Sequence, residues 1–145
     1  MDRIDINHIK STFTRTGKLV HSGIGCLASV MWFFGVKPNI DDLAKKCGAD
    51  SGTISLHSIM EIARNEGFRA DGYEGDINFL KEFVQPVILP GEKKEGYDYC
   101  FLLYGWQSEK FIVGDPQWGI VEYREAELEA VWKSKAFLLI RPECE

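Results

Sequence analysis

Apolar residues recur at helical spacing through the first half of the chain and at strand spacing through the second. Over residues 23–34, Ile24, Leu27, Ala28, Met31 and Phe34 fall at i, i+3, i+4, i+7 and i+10, one face of a helix. Ser22 stands where an N-cap is needed and Gly35 where a helix stops. Pro38-Asn39 opens a second helix, with Asn39 as cap, Ile40, Leu43, Ala44 and Cys47 as its stripe and Gly48 as its end. A third helix is predicted over 56–66, with Ile59, Ile62 and Ala63 inward and Gly67 as stop. Asp76 caps a short fourth one reaching Phe83. The pattern then changes to short apolar runs. Residues 86–89 form a buried strand, and 99–104 with 110–113 form a hairpin joined by 105–109. Asp115-Pro116-Gln117-Trp118-Gly119 is a turn by its chemistry. Residues 120–123 are a strand, 125–132 a helix, and 136–140 the strand that closes the sheet. Helices first and antiparallel strands later make an α+β chain.

A chain of 145 residues fits one domain, 1–145, with a single core, and nothing in it reads as a repeat or linker. It is 45% hydrophobic and 27% charged, which argues against disorder. Net charge is −5 with both signs interspersed, and the densest basic pair, Lys93-Lys94, is flanked by Glu92 and Glu95. Nothing there could track a phosphate backbone, so nucleic acid is not expected as a partner. No apolar run approaches the roughly 20 residues that cross a bilayer. The first ten residues lack the apolar centre of a signal peptide, so direct membrane insertion is not expected and a cytoplasmic location is.

Cys26, Cys47, Cys100 and Cys144 are scattered, with no C-x-x-C pair and no histidine at zinc spacing, so neither metal nor other cofactor is expected. Cys26 lies on the apolar stripe of its helix and reads as a buried thiol. His21 precedes the helix as a loop residue, and His8 and His57 have no evident partner in the sequence.

The order of these elements, with several short motifs, resembles the bacteriocin-processing, double-glycine leader peptidases, a papain-like family found at the cytosolic N-terminus of ABC exporters and also standing alone. The likeness runs from about Thr14 to Pro142. The family's first helix starts Asp-Cys-Gly and ends in an aromatic pair and Gly. Here His21-Ser22-Gly23 leads to Phe33-Phe34-Gly35, which puts Ser22 at the catalytic Cys and Cys26 at a second, non-catalytic Cys position. Ile40-Asp41-Asp42-Leu43, Gly52-Thr53, Glu66-Gly67-Phe68 and Pro86-Val87-Ile88 resemble the elements that follow. The catalytic His position, opening the strand Tyr99-Cys100-Phe101-Leu102-Leu103-Tyr104-Gly105, holds Tyr99. The Asp-Pro-x-x-Gly turn, whose Asp orients that His, survives as Asp115 to Gly119. The stretch that carries the family's oxyanion-hole Gln reads Phe13-Thr14-Arg15-Thr16-Gly17, without a Gln.

The resemblance implies a papain-like fold, a helical half packed on a mostly antiparallel sheet. A peptidase of this kind needs a thiolate, a base and oxyanion donors. Ser22 is no thiolate, an unperturbed phenol such as Tyr99 has a pKa of about 10, and Asp115 has no imidazole to orient. The expected function is therefore a catalytically degenerate domain that binds a secreted peptide or unfolded export substrate. It would work beside the transmembrane and nucleotide-binding domains of an ABC exporter, at the inner face of the membrane. Tyr99, Trp118 and Trp106 are the candidate peptide contacts, the tryptophans because Trp is enriched at binding hot spots. One alternative is an active peptidase with Cys26 or Ser22 as a relocated nucleophile and a rearranged base such as His21. Another is a structural or regulatory domain packed on its own transporter.

Overall fold

The computed structural model describes residues 4–13, 22–46, 56–83, 85–92 and 98–142. Four helices come first: α1 (Ile6–Thr12), α2 (Ser22–Phe33), α3 (Ile40–Lys46) and α4 (Leu56–Asn65). Strand β1 (Phe68–Glu74) and the one-turn α5 (Ile77–Leu80) follow. Then come β2 (Val87–Glu92), β3 (Asp98–Gln107), β4 (Lys110–Asp115), β5 (Gly119–Tyr123), α6 (Glu125–Val131) and β6 (Ala136–Pro142). The six strands form one sheet in the order β1-β6-β2-β3-β4-β5, and every neighbouring pair is antiparallel.

The inner strands of the sheet are buried on both faces, which is why they read as unbroken apolar runs rather than as alternation. One face turns Ile88, Leu102, Tyr104, Ile112, Leu138 and Ile140 toward α1 to α4. The other turns Val87, Leu89, Phe101, Leu103, Phe111, Val113, Phe137 and Leu139 toward α5 and α6, where Trp132 is 1% exposed. Helix α2 is the pillar of the first face. Every residue of it from Ser22 to Met31 is buried, so the helix is enclosed by α1, α3, α4 and the sheet. The one-sided stripe expected from sequence is wider in fact, because Gly23, Gly25 and Ser29 are small enough to be packed on as well.

Local chemistry sets the helix ends. Asn39 Oδ1 accepts from Asp42 N–H at 3.0 Å, and Asp76 Oδ1 from Phe79 N–H at 3.0 Å, as expected of N-caps. Gly35 takes φ +84°, the left-handed geometry that ends α2. Cys47, Gly48 and Gly52-Thr53 lie outside the described residues.

Several expectations are corrected. The fourth helix stops at Leu80, because Lys81 and Glu82 already form a turn. Two further elements have weak sequence signals. Helix α1 has one well-buried residue, Ile9, and its start is marked by Asp5, whose carboxylate accepts from Asn7 and His8 N–H. Strand β1 lies in the half that reads as helical, and its residues 71–74 are not buried. The hairpin turn is only Ser108-Glu109, both at positive φ (54° and 63°). Gly105 does not start that turn. It sits at a bulge where the β3–β4 register shifts between Leu103 and Gly105, and the extra residue swings Trp106 to the second face. Finally, β6 does not close the sheet at an edge; it inserts between β1 and β2.

Candidate functional site

The site forms where α2 begins, where β3 begins and where β4 ends. Ser22 is the first residue of α2 and is 8% exposed. Its hydroxyl oxygen accepts a hydrogen bond from Cys100 N–H at 2.8 Å. The hydroxyl expected to cap its own helix is thus used in a tertiary contact, fastening the helix start to β3. This is possible because the β3–β4 ladder begins only at Leu102 and Gly114, beyond Cys100.

Along β3, side chains alternate. Cys100 turns toward the helical face, while Tyr99 turns to the other and packs edge-on against Phe101 at 5.2 Å. The Tyr99 phenol donates to Asp115 Oδ1 in a short hydrogen bond. Gln117 N–H, in the following turn, donates to Tyr99 Oη at 3.0 Å and to Asp115 Oδ1 at 2.9 Å. Asp115 is 1% exposed, so its carboxylate sits in a place where partners matter most. Burial, and then the hydrogen bond to Asp115, push the Tyr99 phenol above its ordinary value. A phenol so placed keeps its proton and is a donor, not a base.

Cys26 lies deeper on α2 and is fully buried. Burial, with Cys100 and Asp115 adding to it, holds its thiol well above the ordinary value. Nearby on the helical face is Tyr104, whose buried hydroxyl has no hydrogen-bond partner among the described residues and whose phenol is likewise pushed up by burial.

The other candidates fall in different places. Trp118 is 64% exposed in the turn after Asp115, within the same corner as Tyr99. Trp106 is seven residues along β3 from Tyr99, roughly 23 Å at strand rise. There it packs on Phe111 at 4.5 Å under the Lys81 ammonium, so it does not join that corner. His21 lies outside the described residues. His8 does have a partner: its Nε2 lies 2.8 Å from Phe33 O, and its ring meets Phe33 edge-on. His57 is exposed on α4 and borders an open depression with Lys46, Ser58, Glu61, Ile62 and Asn65, away from Ser22 and Tyr99. The backbone donors Cys100 N–H and Gln117 N–H were missed from sequence. Only the second had a signal, since Asp-Pro-x favours a turn in which the carboxylate accepts from the residue two ahead.

The profile of the Peptidase C39 family matches residues 10–145. The chain belongs to the peptidase C39 family. No curated protein sequence matches it. Solved structures agree with the C39 assignment at the level of fold. The peptidase domain of Streptococcus ComA, a bifunctional ABC transporter of a quorum-sensing pathway, superposes with a TM-score of 0.83 at 19% identity, over 90% of this chain and 97% of that one. A double-glycine-motif protease from an AMS/PCAT transporter, solved with its leader peptide, gives 0.78 at 20% identity over 88% and 89%. The N-terminal C39-like domain of a toxin-secretion ATP-binding protein from Vibrio parahaemolyticus gives 0.73 at 12% identity over 87% and 100%. The α+β, papain-like C39 architecture is therefore that of domains carried by ABC exporters. No helix among the described residues is long and apolar enough to cross a membrane.

Proposed function

We propose that residues 1–145 form a single C39 domain that no longer cleaves peptides and instead binds an export substrate, a secreted peptide or unfolded chain, for an ABC exporter. The observation that carries this reading is the Tyr99–Asp115 hydrogen bond. It fills the base position with a proton donor whose ionisation is pushed the wrong way for catalysis. Ser22 supports it from the other side: a hydroxyl already engaged by Cys100 N–H, with a phenol where an imidazole is required, is a poor nucleophile. A relocated nucleophile at Cys26 is disfavoured by complete burial, which opposes thiolate formation and excludes substrate. Trp118 remains an exposed aromatic beside the old site and is the first candidate anchor for the bound peptide.

On this reading the domain works at the cytoplasmic face of the membrane, with the exporter's transmembrane and nucleotide-binding domains as partners. The test is incubation of the purified domain with double-glycine leader peptides and with secreted products encoded nearby, following cleavage by mass spectrometry and binding by calorimetry. Binding without cleavage, weakened by Trp118→Ala, is the expected result. Cleavage after the Gly-Gly pair overturns the proposal, and its loss in Cys26→Ala or Ser22→Ala would name the nucleophile.

A further inference from the structure

The β1–β6 side of the second sheet face carries features that the C39 corner does not use. Register places Tyr73 opposite Phe137, Asp71 opposite Leu139 and Arg69 opposite Arg141, all on the face away from α2. At one end Tyr73 stacks on Phe137 at 5.6 Å, and Phe79 of α5 packs on the same ring at 5.8 Å. Tyr73 and Phe79 are nonetheless 46% and 47% exposed, so two aromatic rings stand in water on a buried apolar floor. At the other end two arginines face each other across the ladder, an arrangement that like-charge repulsion disfavours. Neither side chain makes an ion pair or hydrogen bond with any described residue. A third arginine, Arg64, is already committed to Asp71 and to Ala70 O.

We propose that this strip is a docking surface for an acidic, amphipathic helical segment of the export substrate, a proposal that rests on the peptide-binding reading above. Charge decides the sign of the partner: carboxylates relieve the Arg69–Arg141 repulsion, and apolar side chains cover Tyr73 and Phe79. Geometry decides its form. Strand addition to the β1 edge is obstructed because Arg64 Nε and Nη2 occupy Ala70 O at 3.0 and 2.8 Å. A helix laid across the face suffers no such block. Tyr73 and Arg69 are four residues apart, roughly 13 Å. A helix spans that distance in about nine residues, so the partner carries its apolar anchors and its carboxylates about nine residues apart on one side.

The probe is a fluorescein-labelled amphipathic peptide with leucines at one end and glutamates about nine residues on, compared with the same peptide carrying lysines for glutamates. Fluorescence anisotropy should show binding of the glutamate peptide that weakens with salt, and little binding of the lysine peptide. The pair Arg69→Ser with Arg141→Ser, and separately Tyr73→Ser with Phe79→Ser, should each weaken binding about tenfold or more. Equal binding of both peptides, or no effect of either pair of substitutions in a folded protein, overturns the proposal. So does capture of anionic phosphatidylglycerol vesicles without peptide binding, which would assign the strip to a lipid surface. Failure of the glutamate peptide to bind overturns this surface alone. If leader peptides bind in the first experiment and only Trp118→Ala weakens them, the peptide-binding reading stands without it.

Discussion

Replacing Ser22 with Ala separates a fastening role from a catalytic one. The substitution removes only the oxygen that accepts from Cys100 N–H at 2.8 Å, in a position 8% exposed at the start of a helix that is buried from Ser22 to Met31. Alanine has no acceptor, and water has little room to replace it. Leaving a buried backbone donor without its acceptor costs about 1–3 kcal/mol. For a domain of this size that corresponds to a fall in Tm of roughly 2–4 °C per kcal/mol. Urea unfolding followed by circular dichroism measures the loss, with an unchanged m-value as the check that only stability has moved. Ser22→Thr, which keeps the hydroxyl, controls for burial but adds a methyl group, so it should retain more stability than Ala only if the site admits that methyl. An Ala variant as stable as the wild type would show that the Ser22–Cys100 bond contributes nothing. An Ala variant that kept its stability but lost a hydrolytic activity present in the wild type would reverse the functional reading altogether.

Other outcomes follow from the same geometry. Ser22→Cys with Tyr99→His should create measurable cleavage of double-glycine leader peptides where either change alone does not, because thiol and imidazole are both required; activity in the Ser22→Cys single variant would mean that Tyr99 does not block the chemistry. Stability should fall at alkaline pH. The Cys26 thiol and the phenols of Tyr99, Tyr104 and Tyr123 all have raised values in the fold, chiefly from burial. Folded protein therefore keeps protons that unfolded chain releases above the ordinary values of 9.0 for the thiol and 10.0 for the phenols, and each contribution, complete below those values, is lost as pH rises past them. A flat unfolding midpoint between pH 8 and pH 11, about the window those reference values set, would contradict the burial assigned to these groups. Gly91→Ala should destabilise by about 1–3 kcal/mol, since its Cβ would lie 2.6 Å from Phe101 Cε2 and 2.7 Å from the backbone oxygen of Val131; a neutral result in thermal unfolding would mean that α6 shifts freely over β2.

Much of this protein is legible without coordinates. The stripes of α3 and α4, the Asn39 and Asp76 caps, the apolar runs of β2 to β6 and the Asp115 turn are consequences of local spacing and local chemistry, which act within a few residues. The family likeness is carried by the same signals in order, from Phe33-Phe34-Gly35 to Asp115-Pro116. Helix α1 and strand β1 escaped because their patterns are weak: α1 buries Ile9 and little else, and β1 is solvated over residues 71–74. They are held by long-range partners, α2 and β6, that no window of sequence contains.

What the tertiary structure alone decides is who meets whom. Sequence placed Ser22, Tyr99 and Asp115 at positions of interest, but their separation along the chain says nothing of the hydrogen bonds they make. Ser22 looked like a cap by local preference, and folding gave its hydroxyl to a backbone 78 residues away. Insertion of β6 between β1 and β2 sets Arg69 against Arg141, a juxtaposition written nowhere in local pattern. Periodicity reports which side of an element is apolar, because burial repeats with the turn of the backbone. It carries no address for the opposite partner, because pairing between distant strands and helices is chosen by the packing of the whole chain.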